Sequence, residues 1–278
     1  MNISKNTQRG FHIIEILIAV VVIGLLGFVV WRFVISSNND SQNDESTSKA
    51  SSVTWMWSGD SWQAQGGTAP TCDPKPEFKM PADTDKVTSV LYPGQQRSTG
   101  YKTHGGFLFA NSENEDIDAT IPIDSSLIKA SRYIEKGDVQ YFMVFQVPCG
   151  YAYRFDHLLT LTPKFQAIMD KLPEPKVNDS RTTPIEPAIA VKAGEKVATG
   201  VGFKKELQNT SMDFGIYDLR QPNTASKNSA YASKHADEKE FAFYGVCFLD
   251  YLGSDTASKL KALPAADQTA GKTSDYCD

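Results

Sequence analysis

The sequence has no excess of basic residues and only one long apolar run. Its 278 residues include 28 Lys and Arg against 33 Asp and Glu, which gives a net charge of −5. This balance excludes the basic surface typical of nucleic-acid-binding domains, so we expect no nucleic-acid partner. A single apolar run excludes a polytopic membrane protein. A content of 41% hydrophobic residues excludes a wholly disordered chain.

Several motifs for catalysis and ligand binding are also absent. The sequence contains no Gly-x-Ser-x-Gly, no phosphate-binding glycine loop, no EF-hand pattern and no Cys-x-x-Cys pair. The acidic residues 112–118 offer carboxylate oxygens to calcium, but their spacing differs from that of an EF-hand loop, so we favour an exposed loop. We therefore expect no cofactor and no bound metal.

The one long apolar run, residues 11–36, has the length of a membrane-spanning helix. No charged residue occurs from Ile16 to Trp31, and at 1.5 Å per residue the run is about 39 Å long. Lys5 and Arg9 precede it, which leaves the N-terminus in the cytoplasm and the remainder outside. A cleaved secretory signal is disfavoured, because the run is too long and no small-x-small site follows it. The sequence therefore predicts a single-pass membrane protein.

One carboxylate lies inside this apolar run. Glu15 there costs on the order of 2.5–3.5 kcal/mol, so it needs a partner. It belongs to the segment RGFHIIEILIAVVVIGLLG, which resembles the N-termini of type IV prepilins and pseudopilins. The resemblance implies cleavage after Gly10 by a prepilin peptidase, methylation of Phe11, and pairing of Glu15 with the new amine on another pilin subunit. A plain membrane anchor is the alternative.

The resemblance divides the chain into four parts. Residues 1–10 are the expected leader and residues 11–36 the pilin-like helix. Residues 37–52 are rich in Ser, Asn and Asp and have no apolar periodicity, so we predict a flexible linker. Residues 53–278 are the expected extracytoplasmic domain. Because typical pilins continue the helix into the head, a loose linker favours a minor or surface-displayed subunit.

The part from residue 53 onward has the pattern of a β domain. Apolar and aromatic runs separated by Gly and Pro predict strands at residues 87–92, 139–147, 151–161, 212–219 and 240–252. The clearest helix covers residues 162–172, with Thr162 as N-cap and Pro163 at its first position. We predict a mainly β domain, an antiparallel sandwich or barrel-like fold with short peripheral helices.

All four cysteines follow the apolar run and are expected outside the cell, where disulfides persist. They are Cys72, Cys149, Cys247 and Cys277. Three pairings are possible. We favour Cys247 with Cys277, which attaches the C-terminal tail to a strand and leaves Cys72 with Cys149.

Residues 92–218 contain a second recognisable order of segments. A His-Gly-Gly turn at His104 is followed by Phe-Asp-His-Leu at His157, a Val-Lys-Ala-Gly-Glu hairpin at residues 191–195, and a closing strand that contains Asp213. This order resembles the lysostaphin-type zinc metallopeptidases. The resemblance implies a peptidase-like β core whose zinc ligands are a His and an Asp of one motif and the second His of a later His-x-His.

The ligand positions of that family are not preserved. His104 matches the first ligand, but Leu108 occupies the position of the Asp, and Ser211-Met212-Asp213 replaces the His-x-His. His157 matches a catalytic histidine that is not a ligand. We therefore predict a catalytically inactive, peptidase-like domain, with His104, His157 and Asp213 as candidates for a remnant cleft that binds cell-wall glycan or peptide.

Two alternatives remain for these three residues. The favoured interpretation of the individual residues is structural: His104 as a hydrogen-bonding turn residue, His157 as a strand-end histidine, and Asp213 as an acceptor for nearby amides. The sharper one is a cell-wall peptidase with a non-standard zinc site at the same residues.

Two further aromatic features have simple interpretations. Trp55, Trp57 and Trp62 follow the linker closely and offer a surface for carbohydrate, but a strand packed on the domain is the favoured interpretation. His235 lies in a charged stretch and is expected to be exposed.

Overall fold

The computed structural model describes residues 53–98 and 100–277. The predicted leader, membrane helix and linker, with Gly10, Phe11 and Glu15, lie outside the described residues. Among the described residues, no helix is long and apolar enough to span a membrane.

The described part is mainly β, as predicted, with a few short helices. Its strands are β1 Thr54–Trp57, β2 Trp62–Gln65, β3 Ser89–Leu91, β4 Gln95–Arg97, β5 Gly100–Lys102, β6 Gly105–Leu108, β7 Ala119–Thr120, β8 Ser125–Glu135, β9 Asp138–Val147, β10 Tyr151–Leu161, β11 Thr183–Val191, β12 Lys196–Val201, β13 Ser211–Asp218 and β14 Gly245–Val246. Its α-helices are α1 Pro163–Met169, α2 Ser229–Lys234, α3 Lys239–Ala242 and α4 Ser254–Ala262. Short 3-10 helices are Thr84–Lys86, Asn114–Asp116, Ala225–Lys227, Ala236–Glu238 and Phe248–Tyr251.

Ten strands form one antiparallel sheet. Its main path runs β11-β8-β9-β10-β13-β6-β3; β12 pairs with β10 and β7, and β14 pairs with β13. Two small sheets, β1-β2 and β4-β5, complete the strand pairing of the described residues. The residues of the candidate site lie in β10, in β13 and immediately before β6, and these three strands are neighbours in the sheet.

Alternation along the central strands defines two faces. Tyr153 and Phe155 of β10 and Met212 and Phe214 of β13 are fully buried in the main core. Because successive strand side chains point to opposite faces, Asp213 lies on the other face of the sheet. The rings of Phe145 and Tyr153 stack at 4.9 Å between centroids, an offset aromatic packing that adds to the energy of burial.

The tryptophan hairpin β1-β2 packs on the domain, which confirms the favoured interpretation. Trp62 is buried in a second cluster with Tyr217 and Tyr244. Two of the three indole N–H groups also donate hydrogen bonds: that of Trp55 to the carbonyl oxygen of Pro148 at 3.0 Å, and that of Trp62 to the carbonyl oxygen of Glu240 at 3.0 Å. These indoles stabilise the hairpin against the sheet.

Two predicted elements differ from the structure. Residues 240–252 were predicted as a strand, but they contain the end of α3, the two-residue β14 and a 3-10 helix at Phe248–Tyr251. Phe248 and Leu249 are fully buried, so this apolar run is explained by burial, which also occurs in helical turns. Helix α1 begins at Pro163 with Thr162 as N-cap, as predicted, but ends at Met169.

Both favoured disulfides are present. Cys72 pairs with Cys149 and Cys247 pairs with Cys277, with Cα atoms 5.6 Å and 4.9 Å apart. The second bond attaches the C-terminal tail to the segment that follows β14. Each closes a long segment of chain and so restricts the unfolded state.

Candidate functional site

The strand register places the candidate residues next to one another. Asp213 of β13 lies opposite Gly106 of β6 on one side and opposite Asp156 of β10 on the other. His104 immediately precedes β6, and His157 follows Asp156 in β10. The three residues selected from the sequence therefore meet on the face of the sheet opposite the main core.

Asp213 is the centre of this group. Its Oδ2 atom is 2.9 Å from Nε2 of His104, a hydrogen bond, and 3.6 Å from Nε2 of His157. The side chains of His104, Asp213 and His157 are only 9%, 14% and 18% exposed. We name these three residues the His-Asp-His cluster.

Two glycines make room for the cluster. A Cβ atom at Gly215 would lie 2.7 Å from Cβ of His104, and one at Gly106 would lie 3.1 Å from Oδ1 of Asp213. The first distance is closer than packing allows, and a Cβ atom at Gly106 would also lie 2.5 Å from the carbonyl oxygen of Met212, so a larger residue at either position would force its neighbours to move. The sequence offered no specific sign of this role for Gly215.

A β-bulge aims His157 at Asp213. The pairing of β10 with β9 shifts register between Phe155 and Leu158, and His157 has a φ of 60°. Its carbonyl oxygen accepts the N–H of Gly202 at 2.8 Å. The interpretation of His157 as a strand-end residue was wrong, because it lies inside β10 at this irregularity. Bulges commonly redirect one side chain in this way.

A buried ion pair adjoins the cluster. Nη2 of Arg154 is 2.6 Å from Oδ2 of Asp156, and the Tyr133 hydroxyl donates to the other carboxylate oxygen at 2.7 Å. The Arg154 guanidinium also lies 4.1 Å from the centre of the Phe142 ring. Sequence reasoning missed Arg154. The alternation in YAYRFDH, which places Arg154 and Asp156 on one face of β10, was the available sign.

The Arg97 side chain binds the backbone of His104. It donates to the carbonyl oxygen of His104 at 3.1 Å and to that of Tyr92 at 2.8 Å. Burial lowers the pKa of its guanidinium, which the negative charge of Asp213 partly offsets. No motif indicated this arginine.

Burial and neighbouring charge set the ionisation of the cluster. Burial, reinforced by the positive charge of Arg154, lowers the pKa of His104 to about 4. Burial alone would raise the pKa of Asp213, but the interactions with His104 and His157 and the charge of Arg154 hold it well below its usual value. At neutral pH the cluster therefore contains an uncharged His104 beside an ionised Asp213.

A cavity of about 660 Å³ opens on the same face of the sheet. Leu108 lines it and shares its face with Gly106, because Phe107 between them is fully buried in the core. Phe203, also in its lining, contacts the ring of His157 with 4.7 Å between centroids. The cavity is also lined by Ala110, Ser112, Glu113, Asn114, Glu115, Lys204, Gln208, Asn209 and Thr210.

The cluster does not fit a zinc ion as it is arranged. Nε2 of His104 and Oδ2 of Asp213 are directed at each other at hydrogen-bond distance, whereas zinc ligands are directed at a shared ion about 2.0–2.2 Å away. Leu108, at the family's Asp position, offers no ligand atom. Within residues 53–98 and 100–277, no group of three His, Cys, Asp or Glu side chains is arranged to hold a metal ion.

His235 is buried, so the expectation of an exposed residue was wrong. It is 3% exposed, and its ring lies 3.9 Å from the centre of the Tyr101 ring and 4.5 Å from that of Tyr231. The tyrosines come from β5 and α2, so only the tertiary structure brings them to His235.

The low pKa of His104 predicts that stability falls as the pH is lowered. Its ordinary value of 6.5 applies to the unfolded chain, which therefore binds the proton first. Stability contributed by His104 is complete above pH 6.5 and is lost between 6.5 and about 4, by up to about 1.4 kcal/mol per pH unit. Asp213 is ionised in both states over most of this window and adds little. Urea denaturation at a series of pH values measures the slope.

Two variants separate the contributions to this slope. His104→Gln is expected to reduce the slope, because it removes one titrating group. His235→Gln is expected to remove a second part of the slope, since burial also lowers the pKa of His235. A slope unchanged in His104→Gln would contradict the prediction.

Comparison with protein-family models, with curated proteins and with solved structures finds no match for this chain.

Proposed function

We propose that this chain is a membrane-anchored, prepilin-like surface protein that displays a peptidase-like domain able to bind but not to cleave. Residues 1–10 are the leader, residues 11–36 the membrane helix and residues 37–52 the flexible linker. Gly10 and Phe11 serve in processing by prepilin peptidase. Glu15 serves in docking to other pilin subunits, which makes the protein a minor pilin or pilus-associated subunit.

Two disulfides support the extracytoplasmic location of the domain. Cys72–Cys149 and Cys247–Cys277 account for all four cysteines of the sequence. Such bonds persist in oxidising compartments and are rare in the cytosol. They agree with the orientation proposed from Lys5 and the positive-inside rule.

The observation that carries the inactive, peptidase-like assignment is the internal pairing of Asp213 with His104. At 2.9 Å the carboxylate and the imidazole bind each other. The proposed β-sandwich, with its peptidase-like core at about residues 92–218, would then keep the order of the family's segments while its metal position is closed by a hydrogen bond. Leu108 makes the adjoining surface apolar.

The cavity beside Leu108 supports a binding role. At about 660 Å³ it has the size of a small-ligand pocket. Its lining combines the apolar Leu108 and Phe203 with Asn209, Thr210 and charged groups. This mixture suits a short cell-wall peptide or glycan, which we propose as the ligand.

A peptidase is the second candidate, and one observation favours it. His104, His157 and Asp213 converge although they are far apart in sequence, and two imidazoles with a carboxylate are a ligand set used by hydrolytic zinc sites. A rearrangement that parts His104 from Asp213 would be required first.

Zinc content and cleavage decide between the two candidates. The purified protein, dialysed against zinc, is expected to retain less than about one tenth of an equivalent by elemental analysis, because His104 and Asp213 already bind each other. It is expected to bind soluble peptidoglycan fragments in calorimetry and to leave their mass spectrum unchanged.

Two variants make this test specific. Leu108→Asp restores the family's carboxylate and is expected to raise the zinc content above that of the natural protein. Ala110→Arg, at an exposed position of the lining, places a large charged side chain at the cavity and is expected to weaken fragment binding at least tenfold. If the natural protein retains near one equivalent of zinc and cleaves the fragments, the proposed binding function is wrong and the protein is a peptidase. If it does not bind the fragments at all, cell-wall peptides and glycans are not its ligands.

A further inference from the structure

The last part of the chain lies along β3 and β4. We name residues 266–277 the C-terminal strap. The N–H of Ala266 donates to the carbonyl oxygen of Val90 at 2.9 Å, and the N–H of Asp275 donates to that of Gly94 at 2.9 Å. The strap is therefore held by backbone hydrogen bonds at both of its ends.

A disulfide and a tyrosine fix the far end of the strap. Cys277 is bonded to Cys247, and Tyr276 fits between two glycines. A Cβ atom at Gly94 would lie 2.9 Å from the Tyr276 ring, and one at Gly245 would lie 2.5 Å from it. The space that the Tyr276 ring occupies thus depends on the absence of side chains at Gly94 and Gly245.

Gln95 of β4 connects the strap to the interior. It is 3% exposed, and its amide nitrogen donates to the carbonyl oxygens of Gly271 at 2.9 Å and Thr273 at 2.7 Å. Its amide oxygen accepts from Nε of Arg97 at 3.3 Å. The strap therefore satisfies one end of a buried amide whose other end contacts Arg97.

Arg97 extends this connection to the His-Asp-His cluster. Its guanidinium donates to the carbonyl oxygen of His104 at 3.1 Å, and the His104 ring hydrogen-bonds Asp213 at 2.9 Å. A continuous series of hydrogen bonds thus runs from Gly271 and Thr273 through Gln95, Arg97 and His104 to Asp213.

We propose that the C-terminal strap, locked by the Cys247–Cys277 disulfide, positions His104 for its contact with Asp213, with Gln95 and Arg97 as the positioning residues between them. When the strap leaves, the Gln95 amide loses both of its acceptors and turns or becomes hydrated. Arg97 then loses a partner, and its hold on the His104 backbone weakens. The inference concerns geometry and is independent of the proposed function.

Two measurements on the full-length protein in detergent micelles test the coupling. Hydrogen–deuterium exchange followed by mass spectrometry reports the strap, and long-range ¹H–¹⁵N spectra of ¹⁵N-histidine-labelled protein report the His104 ring. The double variant Cys247→Ser, Cys277→Ser is expected to exchange at least tenfold faster over residues 266–277. Its His104 signals are expected to move away from the pattern of a ring that donates from Nε2 to a carboxylate.

A second variant leaves the disulfide intact. Gln95→Met keeps the size of the side chain but removes all three hydrogen bonds, so it is expected to change the His104 signals in the same direction. Its matched control is Gln96→Met, at an exposed neighbour whose side chain donates only to the Arg97 carbonyl at 3.3 Å. This control is expected to leave the strap and His104 unchanged.

The double variant Cys72→Ser, Cys149→Ser controls for general destabilisation. A His104 change in both the Cys247–Cys277 and Gln95→Met variants, with neither control affected, supports the proposal. Faster exchange in the strap with unchanged His104 signals would overturn it, because the strap would then stabilise the fold without positioning His104. An equal His104 change in the Cys72–Cys149 variant would also overturn it. If the Cys247–Cys277 variant does not fold, Gln95→Met decides alone.

Discussion

Replacing Asp213 with alanine is expected to lower the free energy of unfolding by about 3–5 kcal/mol. Asp213 is the carboxylate partner of His104, and its charge also offsets those of Arg154 and Arg97. Without this carboxylate, the buried His104 N–H has no acceptor and the charges of Arg154 and Arg97 lose a compensating negative charge. This lowers the stability far more than the loss of an exposed ion pair does. Urea denaturation at pH 7 measures the change.

Two substitutions serve as controls for Asp213→Ala. Asp213→Asn keeps an oxygen that accepts from His104 and loses only the charge, so its loss is expected to be smaller than that of alanine. Asp124→Ala removes a carboxylate whose ion pair with Lys192 is largely exposed and is expected to change stability little. A loss below about 1 kcal/mol for Asp213→Ala would mean that the carboxylate is not the centre of the cluster.

The long central strands could be predicted because their residue types and their boundaries agree. Residues 139–147 and 151–161 are rich in aromatic and aliphatic residues and are separated by Pro148 and Gly150, and β9 and β10 follow these segments closely. Residues 240–252 carry the same residue types but do not form one strand. There the run is apolar because Phe248 and Leu249 are buried, and burial alone does not distinguish a strand from helical turns.

The candidate site could be predicted only as a set of residues, without its geometry. His104, His157 and Asp213 followed from the order of the segments, and the register of β6, β13 and β10 does bring them together. The bulge that turns His157 toward Asp213 was not predictable, because it depends on the pairing of β10 with two partners.

The supporting residues depend on contacts that no local pattern reveals. Arg97 reaches the His104 carbonyl, and Gly215 makes room for the His104 side chain, although each belongs to a different strand. His235 was misjudged for the same reason, since its charged neighbours in sequence suggested solvent while Tyr101 and Tyr231 cover its ring.

Replacing Gly10 with leucine is expected to abolish maturation of the chain. If the prepilin resemblance holds, the natural protein loses residues 1–10 and gains one methyl group on Phe11. A larger side chain at the cleaved bond would block the peptidase, so the variant keeps its full N-terminus. Intact-mass spectrometry of protein from cells that contain a prepilin peptidase measures the mass difference. We expect the natural protein to be fully cleaved and the variant to be fully uncleaved.

Glu15→Gln separates processing from assembly, because it leaves Gly10 and Phe11 in place. This variant is expected to be cleaved and methylated like the natural protein. It should nevertheless be absent from sheared filaments or from complexes cross-linked to other pilins, since an amide cannot form the ion pair that a buried carboxylate requires with the Phe11 amine. A natural protein that retains Met1 would contradict the prepilin assignment and leave a plain anchor. A matured protein whose associations survive Glu15→Gln would keep the processing but remove the assembly role, which would make the displayed domain the whole of its function.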